Sequence, residues 1–302
     1  MKILLSNNKL RYLGGTETYT YALAEELVKQ GHKVEVFTFR AGLISEKMRK
    51  ILGVKISDGK QKYDVVLANH NTTVKELRNN NAGFIIQTCH GVTTALEQPS
   101  PYAHSYVAIS QELSKHVQSI TEQEVPVILN GINCNRFKPL KPLNSKIQKV
   151  LSLAHNDTLN DLLEKEFSRY KIEMFRLNKL KNPVWDIENY INQADLVISL
   201  GRGAYESLAC GRAVLIIDQR PGRELKGDGL ILPENIEEFI SCNCRGQARQ
   251  NKNIAEMVNF AVANYSVSLG EWSRQYALEN LNIKKQTEKY IALCKKLIWY
   301  MF

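Results

Sequence analysis

Nothing in this 302-residue sequence approaches the run of about eighteen apolar residues that a membrane-spanning helix requires. The apolar stretch in "MKILLSNNKL" is too short for a signal-peptide core and reads as a first buried strand. Disulfide patterning is missing as well. The six cysteines are dispersed and several stand inside apolar runs, which points to reduced, buried thiols in a cytoplasmic setting. "SCNCRG" holds a C-x-C with no second pair at zinc-site spacing, so no metal is expected there. No RNP-like, finger-like or helix-turn-helix signature accompanies the net charge of +9, so nucleic acid is not an expected partner. The charge leaves an anionic membrane surface or a phosphorylated ligand. There is no repeat of fixed period and no low-complexity segment.

What is present is a real core, at 44% hydrophobic residues, and a length that suits one large or two ordinary domains. The first half alternates short apolar strands with helical stretches. "KILLSN", "KVEVFTF", "YDVVLANH", "AGFIIQTCH", "SYVAIS" and "VPVILNG" read as six strands. "GGTETYTYALAEELVKQGH" reads as a helix that opens on glycines and stops at Gly31. Such alternation indicates a parallel sheet covered on both faces. "NRFKPLKPLNSKIQK" then reads as a linker, and the alternation restarts at "KVLSLAHN". The expectation is α/β, with two Rossmann-like domains at 1–140 and 141–275, the second shortened. A C-terminal helix over 276–302 follows.

Four stretches carry chemistry. In "LGGTETYTYALAEEL", Gly14 and Gly15 precede a helix, where backbone N–H groups and the positive helix end suit an anion. Thr16 reads as a helix cap. A plain strand-to-helix turn explains the same residues. The pattern is not G-x-G-x-x-G, and the next strand ends in Arg40 rather than an acid, which argues against NAD. In "TCHGVTT", His90 follows an apolar strand, at the end where open α/β sheets bind ligands. It can hydrogen-bond a hydroxyl or carry a proton, or simply pack. "VPVILNGINCNRFKP" reads as a structural connection. In "SLGRGAYESLACGRAVLII", Gly201, Arg202 and Gly203 lead from a strand into a short helix bearing Glu206. A carboxylate there suits the helix dipole and can accept ribose hydroxyls, while free N–H groups and Arg202 suit a diphosphate. A surface glutamate matched to a helix dipole is the bland alternative.

Taken in order, these stretches resemble the retaining glycosyltransferases of the GT-B fold, the group-1 or family-4 class. The resemblance implies two lobes facing across a cleft, with a nucleotide-sugar donor held mainly by the second. Glu206 matches the second glutamate of the family's E-x7-E motif, which binds the ribose. Gly201 and Gly203 match the turn beside the donor sugar and phosphates. Gly15 would approach the donor diphosphate or the acceptor, with Gly14 and Thr16 on the acceptor side. His90 matches the active-site histidine that contacts the transferred sugar. The donor would be UDP- or GDP-linked, the acceptor a hydroxyl on a glycan, lipid-linked or other molecule, and neither a cofactor nor a divalent metal is implied.

Two departures matter. The first glutamate of E-x7-E would fall at Ile198 and is absent. The loop that usually offers a phosphate-gripping cation reads "VLSLAHNDTLNDLL", so Arg220, Arg223 and Lys226 are expected as substitutes. These departures motivate an alternative: a non-catalytic GT-B protein that binds a nucleotide or a partner. An epimerase of the same fold is disfavoured because no carboxylate suited to proton abstraction is evident beside the motifs. The tail "NIKKQTEKYIALCKKLIWYMF" is basic with interleaved apolar residues, and suits either an anionic leaflet or a helix packed on the first domain.

Overall fold

The computed structural model describes residues 1–178, 181, 183–218, 220 and 224–299. Arg223 lies outside the described residues. The chain divides into two α/β units, Met1–Gly131 with Ile283–Phe302, and Ile132–Asn282.

The first unit holds β1 (Lys2–Ser6), β2 (Lys33–Phe37), β3 (Lys55–Ile56), β4 (Val65–Ala68), β5 (Phe84–Cys89) and β6 (Ser105–Ala108) in the order β3-β2-β1-β4-β5-β6, all parallel. This is the doubly wound order, whose ligand sites lie beyond the carboxyl ends of the strands. The inner strands are apolar on both faces because helices cover both: Val65, Val66, Leu67 and Ala68 are all buried. Helices α1 (Gly15–Lys29), α2 (Leu43–Leu52), α3 (Asn71–Asn79) and α4 (Gln111–Thr121) supply the cover.

"VPVILNG" is not a strand. Pro126 has no N–H to give, and contact with β6 shrinks to one isolated bridge, Ala108 with Val127, before the Asn130-Gly131 turn. The two-residue β3 escapes a hydrophobicity reading because Lys55 and Ile56 are both exposed.

The second unit holds β7 (Lys149–Ser152), β8 (Glu173–Arg176), β9 (Leu196–Ser199), β10 (Ala213–Ile217) and β11 (Gly227–Leu230) in the order β11-β10-β9-β7-β8. All pairs are parallel except β10 with β11, which is antiparallel. Helices α5 (Asp157–Ser168), α6 (Ile187–Ile191), α7 (Arg202–Ala209), α8 (Ile236–Ser241), α9 (Ile254–Asn264) and α10 (Val267–Tyr276) surround it. Phe167, Leu196, Leu215, Leu230 and Val258 belong to one buried core.

The lysine-rich segment after residue 131 is not a free linker. The Arg274 guanidinium donates to the carbonyls of Cys134, Phe137 and Ala209. Asp195 accepts from the backbone N–H groups of Asn144, Gln148 and Lys149. Arg212, 1% exposed, donates to Lys141 O and to Asn192. These bonds bind residues 132–149 into the second unit, so packing draws the first boundary at 131/132 where the sequence suggests 140. Cys134 and Ala277 are joined likewise, and the chain returns to the first unit at 282/283 rather than 275.

Helix α11 (Ile283–Trp299) packs against α1. Its Ile283, Tyr290 and Cys294 are buried, Ile291, Leu293, Leu297 and Ile298 are partly buried, and Lys284, Lys285, Lys289, Lys295 and Lys296 are exposed. The Tyr19 hydroxyl donates to the Tyr290 hydroxyl at 2.8 Å, and Thr88 Oγ1 lies 3.0 Å from it. Replacing Tyr290 with phenylalanine keeps the ring but removes the hydroxyl that bonds both Tyr19 and Thr88, so we expect a loss of about 1–3 kcal/mol. Urea unfolding measures it, and a change within experimental error would show that the phenol pair does not anchor the helix.

Candidate functional site

In the second unit β9 ends at Ser199, and the chain turns through Leu200 and Gly201 into α7. Gly201 sits at φ +53°, where L side chains are strained. A Cβ on Gly203 would stand 2.3 Å from Ser199 Oγ. The backbone of the turn dictates Gly201, and Gly203 packs against the Ser199 hydroxyl. The expectation of free N–H groups is corrected here. Gly201 N–H donates to Cys244 O at 3.0 Å, Gly203 N–H to Leu200 O, and the Ala204 and Tyr205 N–H groups to Gly201 O. The turn is closed by its own bonds and by the 242–246 loop.

Glu206 lies one turn into α7, and its Oε1 is 3.0 Å from Arg202 Nε, with each side chain 10% exposed. Burial pushes the Glu206 carboxyl up from its ordinary range, while Arg202 and Arg136 pull it down. Arg202 is thus a buried counter-ion and not a solvent-facing cation. Arg136 is a residue that sequence reading missed. Its guanidinium donates twice to Glu188, at 2.9 Å each, and to Trp185 O, and it stacks over the Trp185 ring at 4.6 Å. Alternating charges, Glu188, Arg136, Glu206 and Arg202, gather at the head of α7.

Arg220 is held by Asp218, whose side chain is fully buried; Nε donates to Oδ1 at 2.8 Å and Nη2 to Oδ2 at 2.5 Å. Lys226 donates to Gln250 Oε1 at 2.7 Å on an exposed edge.

In the first unit α1 begins at Gly15, with Gly14 as its N-cap and no capping side chain. Thr16 is therefore inside the helix and does not cap it; its hydroxyl donates to Glu17 Oε2 at 3.0 Å. The backbone at Gly14 is extended rather than unusual, and what it needs is space: a Cβ there would sit 2.1 Å from the Glu17 carboxylate. A Cβ on Gly15 would meet nothing within 4 Å.

His90 follows β5 directly. Its Nε2 lies 2.9 Å from Asn69 Oδ1, and the Asn69 amide is fixed because Nδ2 donates to Ser6 O and Thr20 Oγ1. Oδ1 is then an acceptor, so His90 donates to it from Nε2. Tyr19 closes one side of the ring, edge-on at 5.0 Å. A carboxylate stands at each of the glycines Gly91 and Gly14. Glu97 sits where a Cβ on Gly91 would fall, and Glu17 covers Gly14. Burial, and secondarily Glu17, raise the Glu97 carboxyl, opposed by a bond from Thr94. Among the described residues no group of three or more His, Cys, Asp or Glu side chains could hold a metal ion.

The neighbouring His70 gives a pH-dependent prediction. Its Nδ1 accepts from Asn8 N–H at 3.1 Å; burial, and then Lys9, push it down to about 4. The unfolded chain takes up this proton near the ordinary histidine value of 6.5. Stability present above pH 6.5 is therefore lost as pH falls toward 4, by on the order of 3 kcal/mol in full. His70→Asn keeps an acceptor oxygen and does not titrate. Melting curves should show the wild type losing more between pH 7 and pH 5 than the variant; parallel losses would contradict this.

Several solved structures align with the chain over nearly its whole length. HepE of Anabaena, in complex with UDP and glucose, superposes with a TM-score of 0.67 at 12% identity, covering 98% of this chain and 100% of that one. The fold is GT-B. A glycosyltransferase from Rickettsia africae gives 0.62 at 16% identity over 98% of each chain. MurG of Acinetobacter baumannii, another GT-B structure, gives 0.55 at 13% identity over 98% and 100%. No protein-family model matches the sequence, and neither does any curated protein.

Proposed function

We propose that this chain is a glycosyltransferase that moves a sugar from a UDP- or GDP-linked donor to a hydroxyl acceptor with retention at the anomeric carbon. The observation that carries the reading is the turn from β9 into α7: Gly201 dictated by its positive φ, Gly203 packed against the Ser199 side chain, then one nearly buried carboxylate at Glu206. Its place in a GT-B fold, and the UDP and glucose bound by HepE, support the assignment.

In this reading Glu206 accepts the ribose hydroxyls and Arg202 keeps that carboxylate ionised despite its burial. Gly201 and Gly203 set the turn beside the sugar and diphosphate, and Gly15, where a Cβ would meet nothing within 4 Å, gives an open backbone approach in the first unit. Arg220 is committed to Asp218 and Arg202 to Glu206, so the leaving diphosphate is assigned to Lys226, without a divalent metal. His90 positions the transferred sugar through its ring nitrogen. The acceptor hydroxyl attacks from the face that the diphosphate leaves, and preorganised dipoles and cations supply most of the rate. Six free, buried thiols suit a cytoplasmic site of action.

A second reading keeps donor binding without turnover. It is favoured by Ile198, which stands where the motif's first glutamate would be. A thermal-shift panel of UDP-, GDP- and ADP-sugars, followed by an assay for released nucleoside diphosphate, tests both. A UDP- or GDP-sugar should raise the melting temperature, and diphosphate release should require an acceptor. Stabilisation without release under any acceptor selects the binding protein. No stabilisation by any donor ends both readings.

A further inference from the structure

His90 is held from two sides, and both holds belong to the second turn of α1. The Tyr19 ring stands edge-on to the imidazole, with centroids 5.0 Å apart and planes at 71°. The next residue, Thr20, accepts from Asn69 Nδ2 at 3.0 Å, and Asn69 Oδ1 lies 2.9 Å from His90 Nε2. The Thr20 hydroxyl also donates to Thr16 O at 2.7 Å and accepts from Asn7 Nδ2 at 3.0 Å. A shift of α1 at this level therefore carries both contacts of the imidazole with it.

What fixes α1 there comes from the far end of the chain. Tyr19, Thr88 and Tyr290 are all buried. The Tyr290 hydroxyl, on α11, accepts from the Tyr19 hydroxyl at 2.8 Å and lies 3.0 Å from Thr88 Oγ1. Thr88 stands on β5, two residues before His90. One buried hydroxyl thus ties the helix that flanks the imidazole to the strand that carries it. Packing alone does not call for that oxygen, since a phenyl ring fills nearly the same space. An unsatisfied buried hydroxyl costs more than an aromatic edge contact returns. Without the Tyr290 oxygen, Tyr19 gives up its place beside His90 to find another partner.

We propose that Tyr290 is a positioning residue for His90. It touches no reacting atom. It acts through Tyr19, whose ring sets the tilt of the imidazole while Asn69 holds Nε2. The last helix of the chain thereby governs the geometry of a candidate site built on β5 and α1. The effect on transfer rests on the role proposed for His90; the effect on the imidazole itself does not.

The test pairs NMR of the His90 ring with kinetics, both on the full chain. The Nε2 proton, assigned by its loss in His90→Gln, should give a slowly exchanging resonance in the wild type near neutral pH. In Tyr290→Phe it should shift and exchange faster. There kcat should fall about tenfold at unchanged donor KM, part of the roughly 100-fold that an ångström of misplacement costs. Tyr19→Phe/Tyr290→Phe removes both phenol oxygens, so neither is left stranded, and should return kcat and the resonance to within about twofold of wild type. Cys294→Ala empties a buried thiol site one turn further along α11 and keeps the phenol pair. It should lower the melting temperature and leave the His90 resonance and kcat as in the wild type. An unmoved resonance in Tyr290→Phe overturns the inference, whether or not transfer is found. So does an equal shift in Cys294→Ala, or a double variant no better than Tyr290→Phe. A shifted resonance at wild-type kcat upholds the positioning and removes His90 from the transfer reading instead.

Discussion

Alanine at Glu206 will cost both transfer and stability, and glutamine at the same position will separate the two. The carboxylate and Arg202 form a pair in which each side chain is 10% exposed. Removing one partner leaves a charge in a poorly hydrated place, a loss of roughly 3 kcal/mol or more. The second unit should therefore melt on the order of 10 °C lower in Glu206→Ala. Glutamine still offers Arg202 an oxygen and still fills the space, so its melting temperature should stay much closer to wild type. Transfer reads the other role. Losing the ionised acceptor for the ribose should lower kcat/KM about 100-fold in alanine and at least about tenfold in glutamine, the scale of a charge-assisted hydrogen bond. Wild-type rates in Glu206→Gln would remove Glu206 from the donor site.

His90→Ala should lower kcat about 100-fold, at the lower end for a side chain that positions or exchanges a proton with a reacting group. Stability should change little, because the ring is only partly buried. Asn69 remains held through Nδ2 by Ser6 and Thr20. His90→Gln is the informative companion. Its amide can donate to Asn69 as the ring does, but has no basic nitrogen to offer. A glutamine as impaired as alanine points to the ring nitrogen, whereas recovery points to the Asn69 contact alone. Transfer at the wild-type rate in His90→Ala would discard the histidine.

The strands were the most legible part, for a physical reason. Residues such as Val65 to Ala68 and Ala213 to Ile217 are buried on both faces, and that constraint writes itself into the chain as an unbroken apolar run. The same signal misleads at "VPVILNG", where an apolar run serves a connection and Pro126 breaks the ladder. Strand direction leaves no mark in such runs, so antiparallel β11 could not be distinguished from its parallel neighbours. At the candidate site the glycines and Glu206 are visible as types at a spacing, but Arg202 reads as a cation for the diphosphate, and its pairing with Glu206 at i,i+4 emerges only from the structure. So does the burial of the pair. Arg136 and Glu188 are 52 residues apart, and Thr88 and Tyr290 are 202 apart. Such pairs are set by tertiary packing and have no local signature. The carboxylates at Gly91 and Gly14 have no local signature either. Glu17 reads as an ordinary first-turn acid, and Glu97 reaches Gly91 from a separate short turn, Ala95–Glu97.

The account depends on a nucleotide sugar touching the Gly201–Glu206 turn. A crystal structure of the chain soaked with UDP or GDP tests this directly. The ribose hydroxyls should lie within hydrogen-bond distance of the Glu206 carboxylate, with the diphosphate over Gly201 and Gly203. Nucleotide density bound away from this turn, with Glu206 still paired only to Arg202, would contradict it.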